Sequence, residues 1–195
     1  MPYSAAILIA DGTEEMEFTI PYDTLIRAGV SCRSAFVPAP EAEVKPYAVG
    51  SRGMRIMYDA LFEKHEFCPT AYDVLVIPGG VKGAETLSQN ADVQALVREF
   101  LRAGKFVGMI CAGSMTALTA GLAHQPLTSH PSVKAQLEKG FDYSEEPVVV
   151  SGKLVTSRGP GTTFPFALTL VELLCGHEKR IEVQEPMIFP PNTPL

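Results

Sequence analysis

The sequence predicts an α/β fold: a mostly parallel, doubly wound sheet of about six strands with helices on both faces. Three observations carry this. The apolar runs at 5–10, 74–77 and 106–110 are continuous rather than alternating, as in strands covered on both sides. Stretches of helical period separate them. Turn residues close them abruptly, with Asp11-Gly12 after the first run and Pro78-Gly79-Gly80 after the second.

Taken in order, 5–10 is the first strand. The segment from Thr13 through Pro21 enters a helix, with Pro21 expected in its first turn and Gly29 as its stop, so Glu17 falls near the helix start and faces the top of that strand. A second strand spans 32–37, and the proline-rich stretch 38–46 is a surface loop. Segments 44–49 and 54–57 flank Gly50-Ser51-Arg52-Gly53 as a hairpin. Strand 74–77 runs into Gly79 and Gly80, whose backbone can approach a ligand closely and offer N–H groups to an anion. Helix 92–103 has Val93, Leu96, Val97, Phe100 and Leu101 on one face and Gly104 as its cap. Further helices are expected at 115–122, 133–137 and 163–174, with a hairpin over 148–156. The tail from about 186 to 195 carries four prolines and no regular pattern.

Composition narrows the function classes. At 195 residues, 46% hydrophobic and 19% charged, the chain reads as one domain over 1–195 and neither disordered nor a coiled coil. A net charge of −6 disfavours nucleic acid and anionic membrane as partners, since both need a basic footprint. The residues before Ile7 lack the basic region of a signal peptide, and the apolar run is too short to span a membrane, so cytoplasm is the expected compartment. Cys32, Cys68, Cys111 and Cys175 form neither a CxxC pair nor a zinc spacing; they are expected as free thiols with no metal.

The run Phe106-Val107-Gly108-Met109-Ile110-Cys111-Ala112-Gly113 is the most informative. A strand that ends on a cysteine followed by small residues sets a nucleophile on a tight turn above the sheet's carboxyl edge, where open α/β folds bind ligands. The start of the next helix would favour thiolate over thiol. A buried structural cysteine is the plain alternative. Glu17, the Gly79 and Gly80 loop and Cys111 should meet at that edge. There a carboxyl can shuttle protons, while the amides of Gly79, Gly80 and Ala112 hold an oxyanion. His130, in a loop before Pro131, is a weaker candidate on its own. Glu14 and Glu15 read as a solvated first turn, and the segment 157–162 reads as a structural connection as readily as a ligand contact.

Five segments carry a resemblance: Asp11-Gly12-Thr13-Glu14-Glu15-Met16-Glu17, Val76-Ile77-Pro78-Gly79-Gly80, Ile110-Cys111-Ala112-Gly113, Thr128-Ser129-His130-Pro131 and Ser157-Arg158-Gly159-Pro160-Gly161-Thr162. In order and spacing they resemble the Parkinson-disease-associated deglycase branch of the ThiJ/PfpI superfamily. The resemblance implies a flavodoxin-like sandwich and a homodimer, with Cys111 as nucleophile, Glu17 as its carboxyl partner and His130 in the active site. It makes Arg27 and Arg52 candidates for the dimer interface, with Arg52 reaching the partner's pocket entrance. It implies conversion of methylglyoxal to lactate without glutathione, metal or cofactor, together with deglycase, redox-sensor and chaperone roles, and leaves the nucleus open as a second location. A sensor acting through oxidation of Cys111 is the rival reading, and a protease, as in other superfamily members, a third. Three departures from the branch stand out: Val81 where asparagine is common, Ser114 in place of a proline, and the pair Gly50 and Met57 where some relatives have cysteines.

Overall fold

The first strand decides the layering. In β1 (Ser4–Ile9), Ala5, Ile7 and Ile9 join one buried cluster and Ala6 and Leu8 the other, so each face of the sheet needs a helical cover. The structure, a computed structural model, describes residues 3–195. After β1 come α1 (Glu15–Arg27), β2 (Ser31–Phe36), the hairpin of β3 (Tyr47–Val49) and β4 (Arg55–Met57), β5 (Ala60–Leu61) and β6 (Val74–Ile77). Then follow α2 (Val81–Gln89), α3 (Ala91–Arg102), β7 (Phe106–Ile110), α4 (Met115–Thr119), β8 (Pro126–Leu127), α5 (Lys134–Leu137) and β9 (Asp142–Tyr143). The hairpin of β10 (Val148–Ser151) and β11 (Leu154–Ser157) leads into α6 (Thr163–Cys175) and α7 (His177–Gln184).

The main sheet runs β10-β11-β7-β6-β1-β2-β5, parallel throughout except at β10. The chain winds outward from β1 to β2 and β5 and then returns to β6 on the other side. That reversal opens a crevice between the carboxyl ends of β1 and β6. Phe18 and Leu25 of α1 with Phe166 and Leu170 of α6 cover one face, and Val93, Leu96, Val97 and Phe100 of α3 cover the other. Among the described residues no helix is long and apolar enough to cross a membrane.

Several details differ from expectation. The seventh strand of the sheet is β5, whose two residues are too few to leave a periodic signal. Helix α1 begins at Glu15, so Pro21 lies inside it rather than in its first turn, and the carbonyl of Glu17 loses its usual helical donor. Helix α2 carries Gly83 in its interior, which masks its propensity; a methyl there would sit 2.6 Å from the Thr13 amide nitrogen. Helix α7 buries only Val183, so it shows no apolar stripe. The tail packs Met187, Phe189 and Leu195 against the core on the α6 side.

Candidate active site

Strand β7 hands the chain to Cys111 at its carboxyl end. Cys111 has a φ of +61°, in the left-handed region that a residue with a side chain occupies only under constraint. The constraint is visible on both sides of the turn. Gly113 packs so closely that a methyl on it would lie 2.6 Å from the carbonyl oxygen of Pro78, and the buried Ser114 hydroxyl donates to the Thr128 carbonyl at 2.9 Å. The thiol is thereby fixed in a nearly closed position, 8% exposed, where the amides of Ala112 and Gly80 donate to the sulfur.

Glu17 reaches the same point from the first turn of α1. Glu14 caps α1 by accepting from the Glu17 amide at 2.9 Å, and its own N–H donates to the Gly79 carbonyl at 3.1 Å, which ties the helix start to the β6 loop. The Glu17 side chain is fully buried: Oε2 accepts from the Gly79 amide at 2.8 Å, and Oε1 has no protein partner. Only a glycine fits between carboxylate and thiol. A methyl built on Gly79 would stand 2.5 Å from Glu17 Oε2, 2.6 Å from Cys111 Cβ and 3.0 Å from its sulfur.

The electrostatics of the pair differ from the sequence expectation of an acidified thiol. Burial pushes the Glu17 carboxyl up to about 7; the Cys111 thiol opposes this, the charge of Glu14 adds to it, and the Gly79 amide opposes it. Burial pushes the Cys111 thiol up to about 12, the Glu17 charge adds to the shift, and the Ala112 and Gly80 amides pull against it. The helix expected to stabilise a thiolate is too weak to reverse this, because a four-residue 3-10 turn precedes a five-residue α4. The pair therefore releases one proton near neutral pH and holds the other far above it.

The remaining expected residues fall into two groups. His130 lies at the exposed rim, where its Nδ1 accepts from the Ser132 amide at 3.2 Å and meets the Ser132 hydroxyl at 2.8 Å; the neutral ring then carries its proton on Nε2. Gly159 links it to the centre, since a methyl built there would lie 3.6 Å from His130 Cδ2 and 3.9 Å from Glu17 Oε1. Gly79 takes a different part from the one expected, because its amide serves Glu17 and leaves Gly80 and Ala112 as the donors near the sulfur. Arg52, at the tip of the β3–β4 hairpin, is exposed; Glu15 accepts from its backbone amide at 2.6 Å. Arg27 pairs with Asp23 at 2.6 Å and sits ten residues along α1 from Glu17, about 15 Å away. Among the described residues no group of three His, Cys, Asp or Glu side chains is arranged to hold a metal.

Sequence reasoning misjudged Glu14 and Glu15. Glu14 is buried and holds α1 against the β6 loop, while Glu15 also accepts from the Ser51 hydroxyl at 2.9 Å and so fixes the hairpin tip. The available signal was their position one and two residues after Thr13, whose buried side chain accepts from the Ala10 amide at 3.0 Å and closes the turn.

The family model described as the DJ-1/PfpI family matches residues 3–173. A Schizosaccharomyces pombe protein named glutathione-independent glyoxalase DJ-1 is 38% identical, covering 94% of this chain and 97% of its own. Glutathione-independent glyoxalase DJR-1.2 of Caenorhabditis elegans is 32% identical, covering 94% of this chain and 95% of its own. Among solved structures, Schizosaccharomyces pombe DJ-1 superposes with a TM-score of 0.88 at 37% identity, over 96% of this chain and 100% of its own. Drosophila melanogaster DJ-1beta gives 0.88 at 35% identity, over 97% and 100%.

Proposed function

The chain belongs to the DJ-1/PfpI family, and from that footing we propose that it is a glutathione-independent glyoxalase, converting methylglyoxal and related 2-oxoaldehydes to lactate and the corresponding 2-hydroxy acids. One observation carries the reading: a fully buried carboxylate, with one oxygen on the Gly79 amide and the other unpartnered, faces a thiol held on a strained turn. A buried carboxyl raised to about 7 is tuned to accept and return protons at neutral pH.

In the proposed reaction the Cys111 sulfur bonds to the aldehyde carbon while Glu17 takes the thiol proton, and Glu17 then gives that proton to the carbonyl oxygen to complete a hemithioacetal. The Gly80 and Ala112 amides are the backbone donors available to that oxygen while it is charged. Glu17 then moves a proton from the first carbon to the second through an enediol, while the hydroxyl proton on the first oxygen is exchanged for one on the second. The first carbon is oxidised and the second reduced, so no external redox partner is needed. The resulting Cys111 thioester is cleaved by water, which releases the 2-hydroxy acid and restores the thiol. His130 at the rim is assigned to the substrate's second oxygen through Nε2–H.

We further read the protein as a homodimer. Met54 and Met57 on the β3–β4 hairpin are 56% and 72% exposed, and with Ile26 of α1 they line one continuous groove. A face of this kind suits burial against a second copy, with Arg52 at the hairpin tip directed to the partner's pocket. Four free cysteines support a reducing compartment, the cytoplasm. The test is direct: purified protein is incubated with methylglyoxal without glutathione, and lactate is assayed. Lactate is expected, and its absence rejects the reading.

A further inference from the structure

Beside the Cys111 turn lies a second feature that the reaction chemistry does not use. A recess of about 320 Å³ opens between the start of α2 and the turn, with Val81, Ala84, Ala112, Met115 and Val133 as its apolar lining. Cys111 is not itself in the lining, but two residues next to the reacting centre are. Val81 follows Gly80 and Ala112 follows Cys111, while the amides of Gly80 and Ala112 are the two that donate to the sulfur. A group attached next to a carbon bonded to that sulfur therefore has the recess as its neighbour.

The chemistry of the lining selects among such groups. Its serines are already engaged, Ser88 with the Glu85 carbonyl at 3.2 Å and Ser132 with His130 at 2.8 Å. Within the chain, Glu85 also lines it and no lysine or arginine does, so the recess itself offers a negatively charged substituent no partner. Size favours a large group. A dry cavity of about 150 Å³ accommodates benzene, so this one holds a phenyl ring with room for the attached carbonyl, whereas a methyl leaves most of it unfilled. Val81, on the rim, is 80% exposed and gains cover when the recess is occupied.

We propose that this recess is the subsite for the substituent on the ketone carbon, and that it directs the enzyme toward 2-oxoaldehydes bearing a neutral aryl or bulky alkyl group. The proposal rests on the glyoxalase reading, and its test separates the two. The first arm measures kcat/KM for phenylglyoxal relative to glyoxal, which has no substituent to place there. Val81→Asp should lower that ratio by about tenfold or more, and Val81→Leu should keep it within about twofold, the scale set by apolar contacts in enzyme pockets. The position is exposed, so both variants should fold, which a thermal melt checks.

The second arm needs no turnover. It compares alkylation of Cys111 by 2-bromoacetophenone and by bromoacetone, a ratio in which the common thiolate fraction cancels. Val81→Asp should lower the aryl-to-methyl ratio by a similar factor. If both ratios stay unchanged in Val81→Asp, the subsite is refuted. If the wild-type protein turns over no glyoxal while the alkylation ratio still falls, the recess stands and the glyoxalase reading fails. If turnover is present but neither ratio moves, the glyoxalase reading stands and the subsite falls.

Discussion

Replacing Gly79 by alanine drives a methyl group into the gap between Glu17 and Cys111. The backbone itself tolerates the change, because Gly79 is not among the glycines of positive φ. The obstacle is steric: the new carbon would lie 2.6 Å from Cys111 Cβ and 2.5 Å from Glu17 Oε2. Carbon atoms settle near 3.5–4.0 Å, so the two side chains must separate by roughly 1 Å. Both are buried, and neither has free space to enter at no cost. Overpacking of this kind costs about 1–3 kcal/mol, which lowers the melting temperature by about 2–12 °C for a chain of this size. A misplacement of about 1 Å between reacting groups costs on the order of 10²-fold in rate. Gly79→Ala should therefore fold, melt somewhat earlier, and lose about a hundredfold in kcat/KM for lactate formation. Gly161→Ala is the control, since it has no positive φ and no atom within 4 Å of the added carbon; it should match the wild type in both measurements. Activity of Gly79→Ala within about threefold of wild type, against that hundredfold scale, would refute the assignment of this pair as the reacting centre.

Cys111→Ala should abolish lactate formation with its circular dichroism intact, while Cys32→Ala, Cys68→Ala and Cys175→Ala remain active; substantial turnover by Cys111→Ala would remove it from the mechanism. Glu17→Gln should lose roughly 10²-fold or more in turnover yet alkylate at lower pH, because burial still raises the thiol but the Glu17 charge that adds to that rise is gone. The same variant tests a stability slope. The folded carboxyl keeps its proton up to about 7 against an ordinary value of 4.5, so stability falls as pH rises through that window. The loss is on the order of 3 kcal/mol, and denaturant melts at the two ends of the window should show it in the wild type and not in Glu17→Gln. Sedimentation should report twice the 21.0 kDa chain mass, and Met57→Asp on the exposed hairpin should shift the protein toward monomer; a monomeric wild type at micromolar concentration would reject the dimer.

The parts of the molecule legible in the sequence are those whose signal is local. Strands β1, β6 and β7 are buried on both faces, so their continuous apolar runs identify them without a neighbour. The Cys111 turn is legible for the same reason, since an abrupt stop on a cysteine with small residues after it is a property of a few adjacent positions. Glu14 is the opposite case. Two consecutive glutamates at a helix start are indistinguishable from a solvated first turn until the β6 loop folds over them, and that contact joins residues sixty-five positions apart, from the Glu14 amide to the Gly79 carbonyl. The acidity of the thiol is non-local too: its sign is set by burial and by a carboxylate delivered from helix α1.

Gly79 shows why these two kinds of information must be combined. From sequence, paired glycines after a strand mean free amides for an anion, and the anion expected is a reaction intermediate. In the fold the anion is Glu17 itself. That bond fixes one carboxylate oxygen and turns the other toward Gly159 and the rim, buried and without a protein partner. An unsatisfied buried acceptor costs about 1–3 kcal/mol, and such a cost is retained where a ligand or a proton in transit supplies the missing contact. The hydrogen bond to Gly79 thus has a chemical consequence beyond anchoring: it leaves Glu17 with a single free site for a proton, facing the space where a substrate bound to Cys111 must lie.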